Sequence, residues 1–406
     1  MKNLNKRRFF RKKLENGMTV IFEQRKGSGV ASVLFAVKHG GIHESSKEKG
    51  ISHFIEHMLY KGTPNRTARQ ISEQIERNGG ILNGFTDEEF TAFLAKIPSD
   101  KIDIALEVLA DMIKNSLFDE SELNKERKVI IEEIKMRKDR PDIYVVDKIQ
   151  GMLYSGNLSQ DAIGTEETLG SIDKQKIVKK FKDVYNAGNL VLCVVGDSNF
   201  QKLCSFCNKT FLKSRSEIKE PVIGLRNGRR IDKRAGLDQA NLVFAFHSFP
   251  SGNKENYVAQ VLSGLMAGGM SSRLFQEIRE KRNLAYVVKG ACSSGKRYGY
   301  NYVFVGTKKE HLKEVINLIL REFEKLKDLT EKELEDIKAH LIGNSKISRE
   351  DSHGQMLDLI YNEIWDKAEN SYKYEEEIRK VKLEDVKKLA LSVHEGNYSL
   401  LALVPA

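Results

Sequence analysis

The chain reads as two versions of one pattern. VASVLFAVKHG (30–40) and QANLVFAFHSF (239–249) are both strand-like, with branched and aromatic residues packed into short apolar runs. Each leads through a polar loop into a helix, ISHFIEHMLYKG in one half and ENYVAQVLSGLM in the other. TARQISEQIERNGG and SSRLFQEIREKRN come next, helical by their spacing, with Thr67 and Ser271 placed as N-caps. Strand FTAFLAKI and helix SDKIDIALEVLADMIKN are answered by NYVFVGT and KEHLKEVINLILREFEKL, and LFDESELNKERKVIIEEI by LTEKELEDIKAHLIGNSKI. A period of about 200 residues is too long for a solenoid and points to a duplicated domain.

Strands and helices alternate in both halves, which end in strands such as NLVLCVVG (189–196) and YSLLALVP (398–405). The expected architecture is therefore two homologous alpha/beta domains, each a sheet covered by helices, with the strand order left open. The expected domains are residues 1–213 and 237–406, joined by a linker at 214–236 that is polar, glycine-containing and without sustained periodicity.

Composition excludes several classes of protein. The four cysteines, Cys193, Cys204, Cys207 and Cys292, are too scattered for a disulfide framework, which points to a reducing compartment. Cys204 and Cys207 form a CxxC that lacks a second ligand pair, so they read as small buried side chains on one helix face. With no run of about 18 apolar residues, no membrane span is expected. The basic start, MKNLNKRRFFRKKLENG, has no apolar signal core; an Arg-rich mitochondrial presequence would leave little to cleave before the strand MTVIFEQ at Met18, so the cytoplasm is the expected location. The net charge of +10 would suit nucleic acid, but the basic residues are interleaved with 57 acidic ones and form no nucleic-acid motif.

Candidate chemistry concentrates in GISHFIEHMLYKGT (50–63). A helix places residues four apart on one face, so His53 and His57 can aim both imidazoles at one point. Two imidazoles suit zinc, a third protein ligand leaves one position for water, and Glu56 can take a proton from that water as it attacks a carbonyl. HFIEH thus matches the inverted zinc motif HxxEH. A pair of surface histidines on an amphipathic helix would look the same, so support must come from elsewhere. Downstream, ERKVIIEEIKM carries Glu126 and Glu133 nearly two turns apart on one helix face, with Ile130 between them; either carboxylate could complete a His, His, Glu site. The isolated histidines His39, His43, His247, His311, His340, His353 and His394 read as surface or satisfied core residues.

HFIEH followed by KGT, with ERKVIIEEI roughly seventy residues on, resembles the pitrilysin, insulysin and mitochondrial processing peptidase family of zinc metallopeptidases, in a short two-domain form. The resemblance implies His53, His57 and Glu133 as ligands of one Zn2+ per chain. It implies Glu56 as the base that activates zinc-bound water against the scissile carbonyl, and Glu126 as a residue behind the ligands. Glu132, the nearest rival ligand, points about a third of a turn away from the Glu126 face. GGILNGFTDEEFTAF resembles the family's GGxxNAxT segment, whose strand edge pairs with an extended peptide, here Asn83, Gly84, Phe85 and Thr86; Gly84 replaces the usual alanine and Asp87 the usual serine. MAGGMSSRLFQEIREKRNLAYVV resembles the family's GGGMSSRLF stretch, with Ala267 replacing one glycine, and places the substrate-holding pair on Arg279 and Tyr286, the latter donating to the oxyanion.

The fold so implied is α+β: two homologous domains with mixed, largely antiparallel sheets, forming half of a clam-shaped peptidase. The implied function is zinc-dependent endoproteolysis of unfolded or extended peptides in an enclosed chamber; the alternative is a noncatalytic relative acting as a scaffold or peptide-binding subunit. In the second half Ala259, Leu262 and Ser263 stand where the histidine motif would be and Asn344 where Glu133 would be, so no second zinc site is expected. Since both motif sets lie in one chain, the resemblance implies a homodimer in which each zinc faces Arg279 and Tyr286 of the other copy. Nucleic acid and membranes are not expected partners.

Overall fold

Strands with apolar residues at nearly every position must be covered on both faces, and the computed structural model, which describes residues 7–215 and 218–406, shows how this is done. The described residues divide into two compact units. The first draws on residues 7–135, 161–215, 218–222 and 348–371; the second on Met136–Gln160, Ile223–Ile347 and Tyr372–Ala406.

The first unit holds a six-stranded sheet built from β1 (Arg7–Lys13), β2 (Thr19–Arg25), β3 (Val30–Val37), β4 (Ile81–Thr86), β5 (Thr91–Pro98) and β6 (Leu190–Gly196), in the order β1-β2-β6-β3-β5-β4. Only β2 and β6 pair in parallel; the other neighbours are antiparallel. Residues alternate between the faces, as strand geometry demands. Val33, Phe35, Phe93 and Ala95 pack under helices α1 (Ile51–Leu59), α2 (Ala68–Glu76) and α3 (Ile102–Asn115). Leu34, Ala36, Ala92 and Leu94 face the other way, against Met356, Leu359 and Ile360 of the helix Ser352–Trp365.

The second unit repeats this plan. Strands β7 (Arg229–Arg234), β8 (Ala240–His247), β9 (Ala285–Ser294), β10 (Gly299–Thr307) and β11 (Ser399–Pro405) form a sheet of order β9-β10-β8-β11-β7, with β11 and β7 parallel. Setting β7 on β2, β11 on β6, β8 on β3, β10 on β5 and β9 on β4 reproduces the first sheet without β1. Both sheets are mixed and mostly antiparallel, as expected of a duplicated α+β chain.

The units nevertheless depart from contiguous halves. Helix α4 (Glu120–Asp139) ends beyond the first unit, and α5 (Pro141–Leu153) packs on β8 and β11 of the second. The helix Glu331–Glu350 makes the converse exchange, so Ser352–Trp365 covers β3 and β6. The linker expected at 214–236, of which 216 and 217 lie outside the described residues, contains a short strand, Ile223–Leu225, and all of β7. Likewise RRFFRKK, read as part of a basic leader whose first six residues lie outside the described ones, is β1. Both β1 and β7 are edge strands rich in Arg and Lys, which protects an edge but erases the apolar signal by which strands are recognised.

Local expectations fare well in detail. Thr67 caps α2, accepting from the Gln70 amide while Gln70 bonds back to Thr67. The helical turns after Met270 begin later than placed, with Ser272 rather than Ser271 accepting the first helical bond, from the Gln276 amide. The four cysteines are free, and Cys204 and Cys207 face the core. Among the described residues no helix is long and apolar enough to cross a membrane.

Candidate active site

Helix α1 starts on a built cap. The buried Glu44 carboxylate accepts the Gly50 and Ser52 amides at 2.8 and 2.7 Å, satisfying donors that a helix start leaves open. Gly50 adopts φ +93°, and a methyl there would also meet the Ile163 carbonyl at 2.6 Å, so both shape and space call for glycine. Ile51, Phe54, Ile55, Met58 and Leu59 are buried. The opposite stripe carries His53 and His57, whose side chains keep 13% and 21% of their exposure, with ring centroids 4.7 Å apart.

Helix α4 brings the carboxylates. Ile130 is buried, and Glu126 and Glu133 flank it on the face turned to α1. Glu133 Oε2 stands 3.7 Å from His53 Nε2 and 3.6 Å from His57 Nε2. A tetrahedral ion bonded at about 2.0–2.1 Å needs its ligand atoms about 3.3–3.5 Å apart, so the two histidine–carboxylate separations come within a few tenths of an ångström of what zinc requires. Among the described residues this trio alone gathers three metal-binding side chains within 4.8 Å of one another. Glu132 instead pairs with Lys135 at 2.8 Å and is exposed.

Glu126 stands behind the trio, with Oε2 at 3.1 Å from His57 Nδ1 and Oε1 at 2.6 Å from Lys61 Nζ. Burial lowers the His57 pKa, the hydrogen bonds to Glu133 and Glu126 more than offset it, and the net shift is upward. Glu56 points from α1 toward β4, where the Thr86 hydroxyl donates to its Oε2 at 2.8 Å. Burial pushes the Glu56 carboxyl up to about 7, against the lowering effect of Thr86. Asn83, Gly84, Phe85 and Thr86 lie on β4, the edge strand of the sheet, whose ladder partner is β5. The trio, Glu56 and this edge therefore lie together in the first unit.

Comparison with known proteins bears on this geometry. The profile of insulinase, peptidase family M16, matches residues 19–166, and that of the peptidase M16 inactive domain matches residues 171–341. The uncharacterized zinc protease YmxG of Bacillus subtilis is 33% identical over 400 residues, covering 97% of each chain. The chain belongs to peptidase family M16. An uncharacterized zinc protease of Rickettsia felis is 35% identical over 344 residues, 83% of each chain. In fold, this M16 chain matches a protease from Helicobacter pylori with a TM-score of 0.90 at 22% identity, covering 98% of this chain and 100% of that one. The Bacillus and Rickettsia relatives, named as zinc proteases, agree with a donor set of two imidazoles and a carboxylate that suits zinc.

The second unit of the M16 chain presents its two expected residues at the surface. Tyr286 is 49% exposed and sits where the β9 register shifts, between Ala285 and Val287; such a bulge re-aims a side chain. Its ring lies over Gly306, where any side chain would meet it at 2.6 Å. The Arg279 guanidinium rests over the Phe275 ring at 4.8 Å, on wide π-helical turns at Phe275–Glu280. Asn344, at the place of Glu133, bonds His340 at 3.0 Å.

Sequence reasoning passed over Glu44, which carries no motif because its partners are backbone amides. It also passed over Tyr60, one turn beyond Glu56 in the motif helix, and over Lys61, whose signal was its four-residue spacing from His57. His39 is the satisfied core histidine expected of it, with Nδ1 2.9 Å from the Ser52 hydroxyl.

Proposed function

We propose that this protein is a zinc-dependent endopeptidase that cleaves extended peptides laid along β4. The observation that carries this reading is the convergence of His53, His57 and Glu133 on one point, with the buried Glu56 carboxylate held nearby by Thr86. Zinc in such a site supplies Lewis-acid activation of the carbonyl and of water. Glu56, with its carboxyl raised toward neutrality, takes the proton of the attacking water and passes it to the leaving amine. The free edge of β4 supports a substrate that adds a strand, bound through its backbone largely irrespective of sequence.

The reading extends to assembly. One zinc per chain and a homodimer, in which Arg279 and Tyr286 of one copy serve the zinc of the other, account for both motif sets lying in one chain. Arg279 would then clamp a peptide carbonyl and Tyr286 donate to the developing oxyanion. A chamber so closed would select by size and foldedness.

The test is digestion of a peptide library by purified protein with and without a chelator, beside Glu56→Gln. Cleavage that the chelator and Glu56→Gln each abolish, with zinc retained in the variant, is expected. Zinc-loaded protein that binds peptides without cutting them would overturn the enzymatic reading in favour of a peptide-binding subunit.

A further inference from the structure

Glu56 is held by Thr86 through one carboxylate oxygen, Oε2, and the other, Oε1, faces Gly84. Tyr60 follows Glu56 by four residues and so shares its helix face. The Tyr60 hydroxyl oxygen is buried and has no hydrogen-bond partner among the described residues, a state that costs stability unless it serves something. A methyl built on Gly84 would stand 2.4 Å from this hydroxyl, 3.0 Å from the Ala92 carbonyl oxygen and 3.2 Å from Glu56 Oε1. The hydroxyl thus occupies the space that a side chain at 84 would need, beside the oxygen of Glu56 that Thr86 leaves free.

We infer that Tyr60 is a positioning residue for Glu56, its hydroxyl, unbonded in this structure, reaching Oε1 by a small side-chain rotation to donate there as Thr86 donates to Oε2, and that position 84 is glycine to make room for it. With that second bond made, two donors would hold the carboxylate from both sides and fix which lone pair faces the attacking water. The inference rests on the peptidase reading but concerns residues that the zinc motif does not include. Phenylalanine at 60 keeps the ring, which packs near Phe93 at 6.2 Å, and removes only the donor.

The experiment is a double-mutant cycle of Tyr60→Phe and Gly84→Ala, read by zinc content, thermal midpoint and steady-state kinetics on a peptide. Tyr60→Phe is expected to keep zinc and Tm, or raise Tm slightly, while kcat falls about tenfold with KM little changed. A merely structural tyrosine would not separate kcat from Tm in this way. Gly84→Ala is expected to lower Tm by about 5 °C in the wild-type background and by much less beside Tyr60→Phe. Equal losses in both backgrounds would overturn the size exchange, and an unchanged kcat in Tyr60→Phe would overturn the positioning role. Wild-type protein that cleaves nothing would take down the peptidase reading and the positioning role together, leaving the size exchange to be decided by Tm alone.

Discussion

Glu126 Oε2 stands 3.1 Å from His57 Nδ1, and the opposite nitrogen of that ring, Nε2, lies 3.6 Å from Glu133 Oε2. With Nε2 kept as the metal-facing acceptor, Nδ1 donates to Glu126, and Lys61 fixes the other oxygen of the carboxylate. A carboxylate behind a histidine ligand sets its tautomer and orientation. Glu126→Gln is therefore expected to weaken zinc binding about 10- to 100-fold without unfolding the chain. Competition against a chromophoric chelator measures this, and an unchanged affinity would remove Glu126 from the site.

Zinc occupancy will fall in acid. Both imidazoles must be neutral to bind the ion, and the flanking carboxylates raise His57 above its ordinary value, so protons begin to compete at a higher pH than at an isolated histidine. Affinity therefore weakens as pH falls through the raised pKa. Titrating bound zinc from pH 8 to pH 5 checks the direction, and Glu126→Gln should move the midpoint toward acid.

With zinc held in saturating excess at every pH, the acid limb of kcat/KM is expected to report Glu56. Burial raises its carboxyl to about 7, whereas a cation at the trio stabilises the charged form and pulls it down again. Activity requires the deprotonated base, so it is expected to be lost as pH falls, with a midpoint below 7. Activity that persists to pH 4 would argue against Glu56 as the base.

Glu44 is expected to matter for stability. Its carboxylate satisfies two amides at the start of α1 in a buried setting. Glu44→Ala leaves both without that partner and should cost about 2 kcal/mol. That corresponds to a Tm lower by about 4–8 °C for a unit of this size. A calorimetric scan showing no shift would mean that water replaces the cap at no cost.

Shared sites predict complementation. A His53→Ala chain and an Arg279→Ala chain are each expected to be inactive, but a mixed dimer contains one intact site. Random reassociation should restore about a quarter of wild-type activity, because half of the dimers are mixed and each has one of two sites working. Absence of rescue in demonstrated mixed dimers would place both motif sets in separate roles.

Much of the site was legible because its signals are local. His53, Glu56 and His57 lie within one helical turn, and Glu126, Ile130 and Glu133 share a stripe that spacing alone reveals. Spacing alone left open which carboxylate meets the imidazoles, and only the resemblance pointed to Glu133; with α4 laid against α1, Glu133 faces both rings and Glu132 turns to Lys135. The edge strands β1 and β7 escaped notice because RRFFRKK and RRIDKR give up apolar alternation for charge. Tyr60 escaped because its meaning depends on the missing side chain of Gly84, a residue on another element.

By itself the sequence determined the duplication, the alternation of strands and helices, and the ligand types at helical spacing, since each is encoded by neighbours along the chain. Tertiary structure decided the exchange of α5 and Ser352–Trp365 between the two units, the strand order, and the meeting of α1 with α4 and β4. An apolar stripe states that a helix must be buried but not against which sheet, because hydrophobic burial has no direction and is satisfied by any matching face.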